Sequence, residues 1–196
     1  MKILLFSDCE IINGKIINPY DLYLEHLPDL VVSCGDLSEI FYRKMKRIPV
    51  RKIGVYGNHC APGSLTFGDI EEITEYNTID VNGITFTGYS GCPAYRDGPF
   101  QRTSDEELIA WRDMPLADIV VSHAPPLGIN DSFEQLGEVA YDVDSQHVGW
   151  EGAKHYLKRN RNLQYYFHGH TEIDREERQM GRLKIVHVFG FYTIII

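Results

Sequence analysis

The sequence predicts an α/β fold whose β-sheets are covered by helices on both sides. Short, nearly continuous apolar segments recur along the 196 residues, and amphipathic segments lie between them. Apolar strands that alternate with helices are typical of sheets buried on both faces. The chain shows no repeat and no linker-like change in composition, so we expect a single domain spanning residues 1–196.

The predicted elements follow from the hydrophobic pattern. The predicted strands are residues 2–6, 30–34, 53–57, 84–88, 118–123, 163–168 and 183–196. The predicted helices are residues 37–47, 103–113 and 149–160. The helix at 103 opens with a threonine and early carboxylates, which is typical of a capped helix start. The last apolar segment is too long for one average strand, so we expect Gly190 to mark a hairpin or bulge that gives a final antiparallel pair.

Composition and charge exclude several classes of protein. A net charge of −9 argues against binding long nucleic acid, because a basic surface is needed to neutralise phosphates. The apolar runs are too short for a membrane-spanning helix, so we expect no membrane partner. The first apolar stretch closes with Asp8 and Glu10, where a signal peptide would carry small residues, and we therefore expect a cytoplasmic location. The uncharged ending FYTIII suits an inner strand or a pairing edge, which leaves the oligomeric state open.

Polar side chains follow the predicted strands where each strand ends. They are Asp8, Asp36, Asn58, His123, His168 and His170. In open α/β sheets, ligands bind at the carboxyl ends of the strands. The ordered set therefore predicts one ligand site at that edge.

The motifs that hold these residues resemble those of the calcineurin-type metallophosphoesterase superfamily. They read DCE (8–10), GD (35–36), GNHC (57–60), SHAPP (122–126) and GHTE (169–172), and the SHAPP run is closest to the compact, single-domain phosphodiesterase branch. The resemblance implies a four-layer αββα sandwich of two mixed sheets flanked by helices, with a binuclear metal site. It also implies a role for each matched residue. Asp36 would bridge both metals and Asp8 would bind the first metal, while the second metal site would be completed by Asn58, His123 and His170. His59 would protonate the leaving group or hold the phosphate.

The sequence departs from the family pattern at the first metal. Two histidines are expected there, and this chain has Glu10 and Glu172 instead. Both replacements are carboxylates that can bind metals, and Asp8 and Glu10 can face the same side of an extended strand end. We therefore interpret them as a ligand exchange. With four carboxylates and a hydroxide facing two divalent ions, the site carries about −1, against about +1 in the usual site.

This charge count bears on the choice of metal. An all-oxygen first site favours hard ions over zinc. We predict two divalent metal ions, manganese first, with magnesium, iron, zinc or calcium as alternatives.

The sequence thus predicts a metal-dependent phosphoesterase that hydrolyses a small phosphorylated substrate, a phosphodiester first. A hydroxide bridging two metals would attack phosphorus in line, with His59 as general acid. The more negative site would make turnover weak. The alternative is a weakly active or inactive binding or scaffold module with an incomplete first metal site. A third hypothesis keeps only the second metal.

Other residues have open roles in the sequence. Arg96 could clamp a phosphate, and its neighbours Tyr95 and Phe100 could contact substrate or simply pack their own loop. His147 could contact substrate, or cap a helix, or lie on the surface. Cys60 replaces the acidic residue that usually follows GNH, which leaves the orientation of His59 open. We interpret Cys9, Cys34 and Cys60 as structural and expect Cys9 to face the core.

Overall fold

The computed structural model describes residues 1–131, 147–171 and 177–196. In chain order the strands are β1 (Lys2–Ser7), β2 (Ile11–Ile12), β3 (Lys15–Ile16), β4 (Leu30–Ser33), β5 (Arg51–Gly54), β6 (Glu71–Glu72), β7 (Ile79–Val81), β8 (Ile84–Tyr89), β9 (Cys92–Pro93), β10 (Gln101–Arg102), β11 (Ile119–Ser122), β12 (Tyr165–His168), β13 (Glu177–Met180), β14 (Leu183–His187) and β15 (Gly190–Ile195). The helices are α1 (Pro19–His26), α2 (Glu39–Met45), α3 (Ser104–Asp113) and α4 (Glu151–Arg159), and Ser64–Gly68 forms a 3₁₀ turn.

Two mixed sheets form the centre of the fold. The first has the strand order β15-β1-β4-β5-β6, in which only β15 is antiparallel to its neighbour. The second has the order β13-β14-β12-β11-β8-β7, with antiparallel pairs at both edges and parallel strands between them. The short pairs β2–β3 and β9–β10 lie outside these sheets.

The buried side chains show which face of each sheet points inward. Leu5 and Val32 of the first sheet lie in one buried cluster with Val121 and Phe167 of the second, so the inner faces of the two sheets pack together. This core forms because the inward-facing side chains of both sheets are apolar and are buried against each other.

The outer faces of both sheets are covered by helices. Phe6 on the first sheet contacts Phe41 of α2, with ring centroids 5.3 Å apart. Tyr166 on the second sheet stacks on Trp111 of α3, which in turn contacts Tyr156 of α4. The predicted four-layer αββα sandwich of two mixed sheets is therefore confirmed.

The predicted strands and helices are present, most of them with shorter ends. The helix predicted from Thr103 begins with a complete capping box, because Thr103 and Glu106 hydrogen-bond each other's backbone. The strand predicted at 53–57 forms instead at Arg51–Gly54, so that the residues before Asn58 belong to a loop. Helix α1 was not predicted, although Asn18 caps it and Pro19 opens its first turn.

The expected final hairpin is wrong. Strand β14 pairs in parallel with β12 in the second sheet, and β15 pairs antiparallel with β1 in the first. Residues 188–189 cross from one sheet to the other, because each apolar strand gains more by extending a buried sheet than by pairing with its neighbour in sequence. Gly190 begins β15 with a φ of 87°.

A buried carboxylate joins the two helices that cover the second sheet. Glu107 on α3 is 3% exposed, and its side chain accepts hydrogen bonds from the backbone N–H groups of Gly152 and Glu151 at the start of α4. Trp150, at the helix N-cap, provides no side-chain hydrogen bond, so Glu107 serves that purpose. Burial nevertheless raises the pKa of Glu107 to about 7.

This buried glutamate predicts a pH-dependent stability. The folded protein binds the Glu107 proton more tightly than the unfolded chain does, so its contribution to the free energy of unfolding declines as pH rises from about 4.5 towards 8. Relative to Glu107→Gln, the wild-type free energy of unfolding should fall by up to about 3 kcal/mol over that range. Urea unfolding measured at several pH values tests this.

Asp105→Asn is the matched control, because Asp105 is exposed on the same helix. It should leave the wild-type pH dependence in place. Parallel pH profiles for the wild type and Glu107→Gln would contradict the prediction.

Candidate metal centre

The ends of the parallel strands bring the candidate ligands to one edge of the sandwich. Asp8 follows β1, Asp36 follows β4, Asn58 follows β5, His123 follows β11 and His170 follows β12. The ligand atoms of Asp8, Asp36 and His123 all lie within 4.8 Å of one another. Carboxyl strand ends from both sheets therefore meet at one point, as the sequence indicated.

The geometry is closest around His123, which is fully buried. Its Nδ1 lies 2.8 Å from the carbonyl oxygen of Cys34, which can only accept, so Nδ1 carries a hydrogen. Its Nε2 lies 3.1 Å from Asp36 Oδ2 and 2.9 Å from Asn58 Oδ1. Asn58 is held in this orientation because its Nδ2 donates to the hydroxyl of Tyr95 at 3.1 Å. One nitrogen and two oxygens therefore point their lone pairs at the same small volume.

Such a group of lone pairs is stable only with a positive charge among them. The pKa values of His123 and Asp36 shift in the directions that this need for positive charge predicts. Burial alone would lower the pKa of His123, but the nearby Asp36 and Asp8 carboxylates raise it to about 9. Burial would raise the pKa of Asp36, but His123 and the backbone N–H of His59 lower it to about 2. Burial raises the pKa of Asp8, and Asp36 adds to that effect while His123 opposes it.

The residues present fit a divalent cation. Carboxylate oxygen, amide oxygen and imidazole nitrogen are ligands that manganese, iron and zinc accept. A metal ion bound between Asp36, Asn58 and His123 would supply the positive charge that a proton on His123 supplies otherwise.

The backbone at this edge is held in conformations that few side chains adopt. Asp8, Asp36 and His170 have φ values of 56°, 53° and 70°. Asp and His are among the residue types that tolerate this left-handed region, and such strain concentrates at functional sites. A Cβ atom on Gly57 would lie 2.1 Å from Asp36 Oδ1, and one on Gly169 would lie 2.2 Å from Asp8 Oδ2. Both carboxylates therefore pack directly against glycine backbone, which explains the glycines in two of the motifs.

The Cys60 sulfur ties two of these loops together. Its Sγ accepts hydrogen bonds from the backbone N–H of Asp36 at 3.3 Å and of Gly57 at 3.2 Å. Burial raises the pKa of the Cys60 thiol, so it stays uncharged. The residue that replaces the expected acid thus turns inward and supports the Asp36 loop, while His59 has a different partner.

That partner is Arg96. Its Nη2 lies 2.9 Å from His59 Nδ1, and a guanidinium can only donate, so Nδ1 of His59 accepts and the neutral ring carries its hydrogen on Nε2. His59 is exposed at the pocket, and its backbone N–H donates to Asp36 Oδ1 at 2.8 Å. Arg96 and His59 therefore form one unit beside the metal centre.

Glu10 lies apart from the central group. Its two carboxylate oxygens accept hydrogen bonds from the backbone N–H and the hydroxyl of Ser38, the residue that caps α2. An anion at the start of a helix is favoured by the exposed N–H groups and the helix dipole. Glu172 lies outside the described residues.

One pocket of about 570 Å³ encloses these groups. It is lined by Asp8, Cys9, Glu10, Ile11, Asp36, Asn58, His59, Tyr95, His147, His170 and Phe189. His147 lies beside His170, with ring centroids 5.4 Å apart. The structure thus brings His147 to the pocket and places Arg96 on His59, next to it.

The structure also shows where three other residues from the sequence analysis lie. Cys9 lines the pocket, so the expectation that it faces the core is wrong: the chain leaves the sheet at Asp8, which ends the alternation. Cys34 is buried as expected. Phe100 is 8% exposed and stacks on Tyr56, with centroids 4.6 Å apart, so it packs its loop against the segment after β5 and is not among the residues that line the pocket.

Two lining residues, Ile11 and Phe189, were not identified from the sequence. Ile11 lies in the short β2–β3 hairpin and Phe189 at the crossing between sheets. Each is an apolar residue among other apolar residues, so nothing in the sequence marks it as part of a site. The crossing itself was predicted as a hairpin.

Comparison with known proteins agrees with this geometry. A family model described as calcineurin-like phosphoesterase matches residues 1–173. A search of curated protein sequences found no significant match. None of the helices in the described part of the chain is long and apolar enough to cross a membrane.

Solved structures share the fold at low sequence identity. One crystal structure aligns with a TM-score of 0.66 and 13% identity, covering 94% of this chain and 89% of its own. The protein TT1561 of Thermus thermophilus aligns with a TM-score of 0.55 and 14% identity, covering 96% and 88%. A protein described as a novel archaeal phosphodiesterase aligns with a TM-score of 0.51 and 12% identity, covering 95% and 82%.

The contacts of Cys60 predict its effect on metal binding. Cys60→Ala leaves two backbone N–H groups without their acceptor and frees the Asp36 loop, so it should weaken Mn²⁺ binding about tenfold and lower the free energy of unfolding by about 1–3 kcal/mol. Isothermal titration calorimetry and urea unfolding measure the two effects.

Cys60→Ser retains an acceptor at the same position and should recover most of the metal affinity. If the alanine variant binds Mn²⁺ as tightly as the wild type, the sulfur does not position Asp36.

Proposed function

The chain belongs to the calcineurin-like phosphoesterase family, and from that premise we propose that it is a metal-dependent phosphodiesterase acting on small phosphorylated substrates. The observation that carries this proposal is the convergence of Asp36 Oδ2, Asn58 Oδ1 and His123 Nε2 in a buried position that requires a cation. A phosphodiesterase among the structures of similar fold supports the same class of substrate.

The proposed ligands divide between two sites. Asp36, Asn58, His123 and His170 hold the second metal, and Asp8 shares Asp36 at the first, with Glu10 and Glu172 as further candidates there. Two divalent ions so held, manganese first, would supply a nucleophilic hydroxide at neutral pH and neutralise phosphoryl oxygens. The protein's contribution is a fixed set of ligands that needs little rearrangement when substrate arrives.

His59 and Arg96 act on the substrate. The His59 Nε2–H can donate to an oxygen of the phosphoryl group as the structure stands. Delivering a proton to the leaving group requires a second hydrogen on the ring, and therefore requires Arg96 to leave Nδ1. A phosphate oxygen is a better partner for the guanidinium than a neutral imidazole is, so substrate binding draws Arg96 away and frees His59 for general-acid catalysis.

The charge of the pocket favours a diester over a monoester. Asp8, Asp36 and Glu10 line it, and Arg96 is the cationic side chain bound beside it. A phosphodiester carries one negative charge and a monoester nearly two near neutral pH. With Asp8, Glu10, Asp36 and Glu172 ionised and a hydroxide beside two divalent ions, the occupied site would carry about −1, so a monoester would meet more repulsion there than a diester.

The proposal predicts metal-dependent hydrolysis that fails without Asp36. The wild type should bind Mn²⁺ and hydrolyse bis(p-nitrophenyl) phosphate, whereas Asp36→Asn should lose both properties because the bridging carboxylate is gone. Metal content by mass spectrometry and the release of p-nitrophenolate measure them. Asp105→Asn, an exposed change on α3, is the control and should retain both.

The role of His59 can be tested with two leaving groups. Phenolate needs protonation more than p-nitrophenolate does, so His59→Gln should reduce kcat about 10²–10⁴-fold on a phenyl ester and clearly less on a p-nitrophenyl ester. Equal losses on both esters would assign His59 to phosphate binding alone.

One observation favours a second candidate function. Because Ser38 holds both oxygens of Glu10, the first metal site of the described residues has only Asp8 and the shared Asp36. A weakly active or inactive binding module with one bound metal follows from that arrangement. A metal content of one ion or none per chain, with no turnover under Mn²⁺, Mg²⁺, Zn²⁺ or Ca²⁺, would support this candidate and contradict the phosphodiesterase.

A further inference from the structure

The pocket has two chemically different flanks, and the strand order separates them. His59 follows β5, and Arg96, which follows β9 in the long connection after β8, contacts His59. Ile11 and Phe189 follow β1 and β14. In the first sheet β4 lies between β1 and β5, and in the second sheet β12 and β11 lie between β14 and β8. Since neighbouring strands are about 4.8 Å apart, the ends of β1 and β5 lie about 10 Å apart, with the end of β4, which leads to Asp36, between them.

The flank formed by Ile11 and Phe189 is apolar and open. Ile11 is 56% exposed and Phe189 is 47% exposed, and both line the pocket that contains Asp8 and Asp36. Contiguous apolar surface that stays exposed beside a ligand pocket is a typical feature of a binding surface.

The two side chains are held in place by the fold. The Phe189 ring stacks on the buried His187, with centroids 6.5 Å apart and planes inclined by 24°. The hairpin that carries Ile11 contacts the start of β15, where the position of a Cβ on Gly190 would be 2.7 Å from Ile12 Cδ1. The hairpin and the crossing between sheets therefore form one continuous surface.

Charge restricts what this surface can take. The carboxylate of Glu10, next to Ile11, also lines the pocket, and it is fixed there by Ser38. A second phosphate on this flank would meet that negative charge. An uncharged flat ring would instead gain contact with Phe189 and Ile11.

We propose that the pocket selects phosphodiesters whose retained ester group, the one that does not leave, carries a flat, uncharged aromatic or heteroaromatic ring, such as the base of a nucleoside, and that this ring lies on Ile11 and Phe189. The inference rests on the proposed function, because it assigns a substrate class to the same pocket. It names Phe189 and Ile11 as residues that determine specificity, while the reacting atoms stay at the metal centre.

Two substrates with the same leaving group test the proposal. Thymidine 5′-(p-nitrophenyl phosphate) carries a base on the retained ester, and methyl p-nitrophenyl phosphate carries only a methyl group. The wild type with Mn²⁺ should prefer the thymidine ester about 5- to 150-fold in kcat/KM, the range expected for one stacked base. Phe189→Ala should remove most of this preference, because it should lower kcat/KM for the thymidine ester much more than for the methyl ester.

Two further variants separate stacking from packing. Phe189→Leu keeps an apolar side chain but loses the flat ring, so it should retain only part of the preference. Ile16→Ala is the matched control, because Ile16 pairs with Ile11 across the same hairpin and is 70% exposed outside the pocket lining. It should preserve the full preference, whereas Ile11→Ala should reduce it.

Failure of the ring surface and failure of the proposed function are distinguishable. If both esters are hydrolysed with equal kcat/KM, or if Phe189→Ala reduces both rates alike, the ring surface is refuted and the phosphodiesterase stands. If neither ester is hydrolysed under any of the divalent ions, the proposed function is refuted, and the substrate class with it.

Discussion

The structure depends on one electrostatic constraint: in a buried position, His123 Nε2 lies 3.1 Å from Asp36 Oδ2 and 2.9 Å from Asn58 Oδ1. Alone they would repel, and burial removes the water that could separate them. A charge of the opposite sign is therefore part of the folded state, either as a proton on His123 or as a metal ion. The packing of the two sheets is what holds the atoms together against that repulsion, since the ligands come from strands of both sheets.

The loops around this group show how the repulsion is contained. Asp36 and Asp8 adopt left-handed backbone conformations, and each carboxylate lies against the backbone of a glycine. The Cys60 sulfur then holds the backbone of Asp36, and the Tyr95 hydroxyl holds the side chain of Asn58. Neutral groups perform this support, so no further charge is added to an acidic centre. Rigid ligands of this kind lose little freedom when a cation binds, which favours metal affinity.

The sequence predicted those features that depend on local pattern. Apolar strands ending in polar residues predicted an α/β fold and the edge at which Asp36, Asn58 and His123 meet, and the resemblance to the family implied the two-sheet sandwich. The sequence did not predict where β15 pairs, because residues 183–196 read equally well as a hairpin, and the choice between sheets depends on contacts distant in sequence. For the same reason the sequence did not predict that Phe189 lines the pocket, because Phe189 reaches it only where the chain crosses between the sheets. The contacts of Cys60 could not be predicted for a related reason: the backbone N–H groups that donate to its sulfur lie in two separate loops.

Glu10 bears both on metal binding at the proposed first site and on which substrates the neighbouring surface accepts. A histidine at this position would find a metal ion its best partner, but a carboxylate has a second one in the N–H and hydroxyl of Ser38 at the start of α2. As a ligand of the proposed first metal site, Glu10 would therefore be engaged already when no metal is bound, and metal binding there would have to compete with the helix. While that contact persists, the carboxylate keeps a negative charge on the flank that Ile11 and Phe189 form. In the proposed site, a glutamate at this position would thus weaken the first metal site and restrict the neighbouring surface to groups without charge.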